Sequence, residues 1–388
     1  MSLELWAVSG DFRMMIKDEI HGNIYFNELE ERIVDTLDFQ RLRRIKQMAF
    51  TYLVYPGANH TRFEHSIGVF HLASELCRKL GLSDDDAQKV RLFALLHDIG
   101  HLPFSHESEK VLEPHLRTHE EIGKKKVLTG EIGTILNESW NAEEIMNLEN
   151  AKIGQVVCSD LGADRMDYLV RDSANTGVAY GVIDTERIMH TMELNDETGS
   201  LVINEGGLEA AESLLIARFL MFSTVYLHRT VRIAAAIYHK AIQSAVSEGF
   251  EPEKFTIMND DEILSALAGV AGSSPYISAL VGRKLYKEAF SFKPSETDPE
   301  KLQTKTKKLE DVLKQKYKCD VIVEYPSGFF KPIDFKVKFD TGIVEPISRI
   351  SDIVAALKTS EEKRRKVMVM CPEEMREKIS EEGKALLK

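Results

Sequence analysis

Apolar residues recur with the period of an α-helix over most of the first two thirds of the chain. Between residues 28 and 249 they fall mainly three and four positions apart, which is the spacing of one helix face. Two stretches, 14–26 and 192–204, instead predict hairpins, and the second alternates around turn residues. The segment 208–246 has a nearly continuous apolar face and predicts one long helix. We therefore expect a mainly α architecture.

Capping patterns locate two of these helices. Ser83 precedes three aspartates, which predicts a helix start because acidic side chains stabilise the first turn. This helix is expected to run to Asp98 and to stop near Gly100. Thr118 is followed three positions later by Glu121, which is a capping-box pattern.

The pattern changes beyond Gly272. Residues 275–318 predict two helices, of which the second is rich in lysine. From Cys319 the apolar period becomes two, so a small lobe of strands and helices is expected. Its predicted strands are 320–324, 333–339 and 367–370, and its predicted helices are 350–357 and 372–386. The predicted domains are a helical catalytic domain at 1–273, a helical linker region at 274–318 and a small α+β C-terminal lobe at 319–388.

The composition is typical of a soluble globular protein, since 43% of the 388 residues are hydrophobic and 29% are charged. The most apolar stretch, 214–226, contains Arg218 and is too short to cross a bilayer, and no signal peptide is expected. The four cysteines form no CxxC pair, which favours a reducing, cytoplasmic location. The net charge of −12 argues against binding to long nucleic acid, and no membrane partner is expected.

The most informative motif is the histidine–aspartate pair at 97–98, followed by a further histidine at 101. An adjacent His97 and Asp98 offer one nitrogen and one oxygen to the same cation. His65 upstream and Asp164 downstream would complete a four-ligand nitrogen and oxygen site. Such a site suits a divalent metal that polarises a phosphate and activates water. The residues alone therefore indicate metal-assisted hydrolysis of a phosphoester or phosphoanhydride.

A single histidine–aspartate pair is common by chance and also fits a capped helix end. The cluster is more specific, because six of the twelve histidines fall between positions 60 and 106. His60 and His71 are nevertheless interpreted as packed or surface histidines. Further along, Asp167 and Arg171 are spaced as an intrahelical ion pair.

Several motifs occur in the order found in one known family. They are Phe39-Gln40-Arg41-Leu42-Arg43, Lys46-Gln47, Tyr55-Pro56-Gly57-Ala58, Arg62-Phe63-Glu64-His65-Ser66, His97-Asp98-Ile99-Gly100-His101, Pro103-Phe104-Ser105-His106, Thr118-His119-Glu120 and Asp164-Arg165-Met166-Asp167-Tyr168. The chain resembles the HD-superfamily deoxynucleoside triphosphate triphosphohydrolases, the branch that includes the animal SAM-and-HD-domain enzyme. The match runs from about Ile16 to Val246 and is weaker near 331–335. No SAM domain is expected here.

The resemblance implies an HD-domain helical core that hydrolyses a dNTP to deoxynucleoside and inorganic triphosphate. It implies one divalent ion (Mn, Fe, Co, Ni, Zn or Mg) and an additional Mg²⁺ that accompanies the nucleotide. The implied metal ligands are His65, His97, Asp98 and Asp164. The implied catalytic group is His119, as acid at the scissile phosphate and oriented by Glu109 or Glu120, with His101 and His106 beside it. Other implied contacts to phosphate, water or sugar come from Arg62, Arg165 and Tyr168, and the sugar 3′-hydroxyl would be read by Gln47 and Asp172.

The chain departs from the family pattern where a triphosphate-binding arginine is expected. His228 matches a family contact, whereas Arg232 is only a stand-in for that arginine. A guanine-nucleotide activator site is also implied, because Asp35, Gln40 and Arg43 match residues that read an activating guanine. A carboxylate can accept from the guanine N1–H and N2–H₂ edge, and an arginine can donate to O6 and N7. The alternative is that these three residues only form a turn and a polar helix face.

Three functions remain open at this point. The first is a dNTP triphosphohydrolase that forms a homo-oligomer. The second is an HD nucleotidase or phosphodiesterase that acts on another nucleotide. The third is a non-catalytic protein whose HD site senses a nucleotide. Analysis of the reaction products distinguishes the three.

Overall fold

The computed structural model describes residues 12–195, 198–294, 298–325, 334–364 and 366–383. The fold is mainly α, as predicted, with a few small sheets. The chain divides into two compact units, each assembled from segments that are separate in the sequence. The first unit consists of Met1–Met221, Pro252–Ile263 and Asp334–Ser351, and the second consists of Phe222–Glu251, Leu264–Ile333 and Asp352–Lys388.

The helices and strands are numbered in chain order. The α-helices are α1 (Glu28–Val34), α2 (Leu37–Arg41), α3 (Arg62–Leu80), α4 (Asp84–Leu96), α5 (His106–Leu116), α6 (His119–Thr129), α7 (Glu131–Leu136), α8 (Ala142–Met146), α9 (Gln155–Cys158), α10 (Ala163–Thr176), α11 (Thr185–Thr191), α12 (Leu208–Met221), α13 (Arg229–Ser247), α14 (Asp260–Ala268), α15 (Ser274–Val281), α16 (Pro299–Tyr317), α17 (Ile347–Ile350), α18 (Asp352–Arg364) and α19 (Arg376–Gly383). The strands are β1 (Met14–Asp18), β2 (Gly22–Phe26), β3 (Met192–Leu194), β4 (Leu201–Asn204), β5 (Lys287–Phe292), β6 (Ile322–Glu324), β7 (Lys336–Lys338), β8 (Val344–Pro346) and β9 (Val367–Cys371). A π-helical turn occupies Phe222–Tyr226.

In the first unit, β1 and β2 form the predicted hairpin, with Met14 opposite Phe26. The second predicted hairpin is formed by β3 and β4; its turn residues 196–197 lie outside the described residues. This pair is extended by β7, which runs parallel to β4, and then by β8. The core lies where α3 packs against α4 and α10. Two of the candidate metal ligands, His65 and Asp164, lie on α3 and α10, and the other two, His97 and Asp98, directly follow α4.

Both predicted helix starts are confirmed. The Ser83 side chain accepts from the backbone N–H of Asp86 at the start of α4, and Thr118 forms a capping box with Glu121 at the start of α6. The helix α4 ends at Leu96 rather than at Asp98, where the sequence predicted its end. The histidine–aspartate motif therefore follows the helix.

The second unit contains the three-stranded sheet β5-β9-β6. Its core includes Phe290, Leu313, Val369 and Ile379, which come from β5, α16, β9 and α19. The prediction of two helices at 275–318 is wrong in one respect, because β5 lies between α15 and α16. A bulge between Glu288 and Phe290 breaks the alternation of buried and exposed positions, which explains why the pattern gave no strand signal.

The single helix predicted at 208–246 is also wrong. It is divided into α12, a π-helical turn and α13, whose start is capped by the His228 side chain. The apolar pattern continues through the turn and therefore does not reveal the break. The predicted strands of the C-terminal lobe fall in two sheets, since β7 belongs to the first unit and β6 and β9 to the second. The three-domain division of the chain stays a prediction.

Within the part of the chain that the structure describes, no single helix is long and apolar enough to cross a membrane. Glu205–Tyr226 and Arg229–Ser247 reach that length and hydropathy only when the two are counted as one segment.

Candidate metal centre and the neighbouring histidine cluster

Three helices bring the predicted metal ligands together. α3 begins with a capping box, which places His65 in its first turn. His97 and Asp98 directly follow α4, and Asp164 lies in the first turn of α10. We call these four residues the metal cluster.

The ligand atoms of the metal cluster lie within a few ångströms of one another. His65 Nε2 is 3.1 Å from Asp164 Oδ1 and 3.6 Å from Asp98 Oδ2. His97 Nε2 is 3.5 Å from Asp98 Oδ1 and 4.0 Å from Asp164 Oδ1. Atoms that each approach one ion to about 2.1 Å are themselves separated by about 3 to 4 Å. The arrangement therefore has the dimensions of a single-ion site with two nitrogens and two oxygens.

Both histidines of the metal cluster are oriented through their outer nitrogen. His97 Nδ1 donates to the carbonyl oxygen of Ala94 at 2.7 Å, and His65 Nδ1 donates to Asp167 Oδ2 at 2.8 Å. The proton on Nδ1 leaves the lone pair on Nε2, which is the form of histidine that binds a metal. His97 Nε2 is buried and has no hydrogen-bond partner among the described residues. The donor set therefore fits a divalent cation.

The charges of the metal cluster also favour a cation. Burial disfavours a charged imidazole, but hydrogen bonds to Asp164 and Asp167 outweigh it and raise the pKa of His65 to about 10. Burial would raise the pKa of Asp98, but His97 and Arg62 hold that pKa well below its usual range. Carboxylates that stay ionised while attracting a proton to a buried histidine would equally attract a metal ion.

Arg62 secures the position of Asp98. Its Nη1 donates to Asp98 Oδ2 at 2.6 Å, and its Nε donates to Ser105 Oγ at 2.9 Å. Arg62 and Asp98 are both almost fully buried. The predicted phosphate contact of Arg62 stays a prediction, and the structure adds a second role for this guanidinium.

A second group of side chains lies beside the metal cluster: His101, His106, Glu109 and His119, which we call the histidine cluster. Glu109 Oε1 accepts from the backbone N–H of His119 at 2.8 Å and from its Nδ1 at 3.0 Å. Glu109 Oε2 accepts from His106 Nδ1 at 3.1 Å. His119 Nε2 is therefore the ring atom that can meet a substrate.

His101 joins the two clusters. Its ring stacks on that of His119, with centroids 4.0 Å apart, and its Nε2 lies 3.2 Å from Asp98 Oδ1. Burial, followed by the charges of Arg62 and His119, lowers the pKa of His101 well below its ordinary value. Burial acts against protonation of His119 as well, but the hydrogen bond to Glu109 and the charge of Asp98 raise the pKa of His119. The structure thus places a histidine with a lowered pKa between the metal cluster and a histidine with a raised pKa.

The turn before His106 is held by residues that the sequence analysis did not single out. Phe104 and Ser105 have positive φ values of 56° and 53°, which is a strained backbone conformation for residues other than glycine. Asp260 accepts from the backbone N–H of Phe104 at 2.7 Å and from that of Lys46 at 2.9 Å. The sequence separation of Asp260 from both partners gave no local signal of this role.

The predicted sugar contacts lie close together in the first unit. His60 Nε2 donates to Asp172 Oδ1 at 2.7 Å, and the backbone N–H of Gln47 donates to the carbonyl oxygen of His60 at 3.0 Å. Gln47 Oε1 is buried and has no hydrogen-bond partner among the described residues. His60, interpreted from the sequence as a packed or surface residue, is therefore buried next to the predicted 3′-hydroxyl contacts.

The predicted phosphate contacts fall in both units. Arg165 pairs with Asp160 in the first unit. Arg232 lies in the second unit, where its guanidinium pairs with Glu324, and the ring of His228 accepts from the backbone N–H of Thr230. The contacts of Arg232 and His228 with substrate stay predictions.

Arg218 is a further residue that sequence reasoning missed. It lies on α12, is almost fully buried, and its charge acts on Tyr168 by lowering a pKa that burial raises. An arginine inside an apolar stretch was the available signal, because arginine is rarely buried without a partner.

The predicted activator residues lie near the start of the first unit. Asp35 and Arg43 are exposed, and Gln40 is half-buried. Gln40 Oε1 accepts from Arg43 Nε at 2.9 Å, and the Arg43 guanidinium lies 3.5 Å from the ring centroid of Phe63. The structure thus brings these residues near one another but does not test nucleotide binding.

Comparisons with known proteins match these features. The HD domain model matches residues 62–169, and the model of the HD associated region matches residues 183–388. An uncharacterized protein from Methanocaldococcus jannaschii, MJ1154, is 35% identical over 380 residues, which cover 95% of this chain and 81% of that protein. Deoxynucleoside triphosphate triphosphohydrolase SAMHD1 from Bos taurus is 50% identical over 103 residues, which cover 25% of this chain and 18% of that protein.

The fold is shared with a solved structure, a phosphohydrolase from Bacteroides thetaiotaomicron. The two align with a TM-score of 0.75 and 26% identity, over 93% of this chain and 100% of that chain. The similarity to MJ1154 and the two family matches together establish the family. The chain belongs to the HD-domain superfamily and carries the HD-associated region.

Proposed function

We propose that this protein is a metal-dependent phosphohydrolase that cleaves dNTPs to deoxynucleoside and inorganic triphosphate. The observation that carries the proposal is the position of His101 between the metal cluster and His119. This position supports a mechanism in which a cation and a proton donor act side by side on a phosphate. The similarity to the triphosphohydrolase SAMHD1 over a quarter of the chain supports the choice of substrate.

A divalent ion held by His65, His97, Asp98 and Asp164 would supply Lewis acidity toward a phosphate oxygen and toward water. The chain's own residues provide the remaining steps. Arg62 keeps Asp98 ionised and in place. His119, protonated and oriented by Glu109, gives its Nε2 proton to the departing 5′-oxygen as the oxygen of a water molecule bonds to the α-phosphorus and the bond from that phosphorus to the 5′-oxygen breaks. The proton that the water loses passes to solvent, from which His119 regains its own.

The sugar would be read by three of the predicted residues. Gln47 Oε1 is an acceptor without a hydrogen-bond partner among the described residues, and it suits the 3′-hydroxyl as donor. Asp172 is connected to Gln47 by His60, which forms a hydrogen bond with each of them. Tyr168 would pack under the deoxyribose and leave no room for a 2′-hydroxyl. A buried polar group left without its substrate partner can cost as much as about 10⁴-fold in specificity. We therefore expect 2′,3′-dideoxy substrates to be poor and ribonucleotides to be poorer than dNTPs.

The test is an analysis of products. Purified protein is supplied with Mn²⁺, Mg²⁺, Fe²⁺, Co²⁺, Ni²⁺ or Zn²⁺ in turn and incubated with each of the four dNTPs and with ATP. Equal amounts of deoxynucleoside and inorganic triphosphate are expected. Release of pyrophosphate or of inorganic phosphate would instead indicate another nucleotide hydrolase, and binding without turnover would indicate a sensor. Equal cleavage of ATP and dATP would contradict the role of Tyr168.

A further inference from the structure

The turn of the β1–β2 hairpin reaches the helix that carries Asp164. His21 Nε2 donates to Asp167 Oδ1 on α10 at 2.7 Å. Asp18 accepts from Arg171 Nη1 at 2.8 Å and from Nη2 at 3.2 Å. Asp18 also accepts from the backbone N–H of His21 at 2.8 Å, so the carboxylate shapes the turn that presents the imidazole. Asp18 and His21 thus connect the first hairpin to Arg171 and Asp167 of α10.

Asp167 transfers this connection to the metal cluster. Its Oδ2 accepts from His65 Nδ1 at 2.8 Å and from Arg171 Nε at 2.9 Å, while its Oδ1 accepts from Arg171 Nη2 at 2.9 Å. Asp167 and Arg171 are both 0% exposed. A buried charge is stable only when it is paired and hydrogen-bonded. His21 of the hairpin supplies one of the hydrogen bonds to Asp167.

α3 leaves space for this ion pair. A Cβ atom at Gly68 would lie 2.0 Å from Asp167 Oδ1 and 2.3 Å from Arg171 Nη2. Glycine destabilises a helix interior relative to alanine, and the close approach of the ion pair explains why it is present here. Gly68 lies three positions after His65, so the pair packs directly against the turn that holds the ligand. The position of the carboxylate therefore depends on contacts from α3, α10 and the hairpin.

We propose that Asp18 and His21 are positioning residues for the metal ion: they hold Asp167 and Arg171 so that Asp167 accepts from His65 Nδ1 and His65 Nε2 faces the metal cluster. The inference rests on the proposed metal site and extends it to a hairpin outside the HD motif. An outer partner of a ligating histidine fixes its tautomer and raises its basicity, and loss of such a partner costs about 10- to 100-fold in metal affinity. A hairpin with a purely structural role would change stability and leave metal affinity unchanged.

The experiment measures the Mn²⁺ dissociation constant of the full chain by competition with a chelator, together with the melting temperature of the metal-free protein. His21→Phe keeps a ring to stack on His71, whose centroid lies 5.0 Å away, and removes the donor to Asp167. His21→Gln keeps a side-chain donor. We expect His21→Phe to weaken Mn²⁺ binding by about 10-fold or more and His21→Gln to recover part of the loss.

Asp18→Asn tests the second contact, because it removes the charge that faces Arg171. Glu19→Gln is its control: it changes an adjacent, exposed carboxylate of the same turn, which accepts from Asn175 near the end of α10, and it keeps an acceptor for that contact. His115→Gln, on the exposed face of α5, is the control for the histidine variants. We expect Asp18→Asn to weaken Mn²⁺ binding by about 10-fold and both controls to bind as the wild type does.

The outcomes separate this inference from the proposed function. If the wild type binds Mn²⁺ and His21→Phe and Asp18→Asn bind it equally well, the positioning role is wrong and the metal site stands. If the wild type binds none of the six metals, both are wrong. Should Asp18→Asn fail to fold, the two His21 variants decide. The inference is then overturned if both bind Mn²⁺ with the affinity of the wild type.

Discussion

The metal cluster and the histidine cluster contain the same kinds of side chain but differ in ratio and orientation. The metal cluster combines two carboxylates with two histidines whose Nδ1 protons are held by groups outside the cluster. The histidine cluster has one carboxylate for three imidazoles, and Glu109 accepts from two of them. The first arrangement gathers negative charge around open nitrogen lone pairs, which suits a cation. In the second arrangement Glu109 raises the pKa of His119, which suits an acid.

The largest effect should follow from breaking the metal cluster. Asp98→Ala removes a charged ligand, so the protein should lose bound metal and at least about 10³-fold in turnover, equivalent to several kcal/mol of charge stabilisation. The measurements are metal per chain and the rate of dNTP hydrolysis. Asp85→Ala, an exposed change on α4, should retain both.

Loss of Asp98 also leaves the buried guanidinium of Arg62 without its anionic partner, which costs about 3 to 5 kcal/mol of stability. Asp98→Asn retains an acceptor for Arg62 and is therefore compared in the same assays and by thermal melting. Full turnover in a variant that binds no metal would contradict the assignment of the cluster.

A change in the histidine cluster should lower the rate of catalysis without affecting metal binding, and its effect should be smaller than that of Asp98→Ala. His119→Gln removes the proton donor and leaves the four metal ligands in place, so kcat should fall by about 10²- to 10⁴-fold while bound metal stays at the wild-type level. His115→Gln on the neighbouring helix should keep both kcat and bound metal at the wild-type level. If His119→Gln lost the metal as well, His119 would be a ligand and the distinction between the clusters would fail.

The pH dependence sharpens the same distinction. Glu109 raises the pKa of His119, so the acid form persists to higher pH and activity should fall as pH rises through that raised pKa. Glu109→Gln removes the charge and should move the alkaline limb of kcat/KM to lower pH. Profiles of kcat/KM against pH for both proteins test this. An alkaline limb that stays in place would show that His119 is not the acid or that Glu109 does not set its pKa.

Local patterns located most of the site, and long-range pairings supplied the rest. Helix caps and the histidine–aspartate motif can be read from neighbouring residues, and the structure brings the four predicted ligands together. The ion pair of Asp167 and Arg171 is present as interpreted, but its connection to His21 spans 146 positions. No periodicity reports such a contact. The same holds for His60, which meets Asp172 across 112 positions.

The fold was missed where the apolar pattern did not change at a structural boundary. The break between α12 and α13 lies inside a continuous apolar run, and the bulge in β5 hides its alternation. Asp260 belongs to a segment more than 200 positions after Lys46, yet it holds the backbone beside Gln47. A division of the sequence into consecutive domains cannot assign the segment Pro252–Ile263 to the first unit.

The smallest expected effect concerns the activator residues, which contrast with both clusters because Asp35 and Arg43 are exposed. The Arg43 guanidinium carries more donors than the one that Gln40 accepts, so a guanine could pair with Arg43 and with the exposed carboxylate of Asp35. We expect GTP or dGTP to raise the rate of dATP hydrolysis by about fivefold or more and to increase the oligomer mass by linkage. Asp35→Ala should abolish this activation and retain bound metal, with Asp85→Ala as control. A wild-type rate and a mass by light scattering that neither nucleotide changes would leave Asp35, Gln40 and Arg43 as a polar surface on and beside α2 and nothing more.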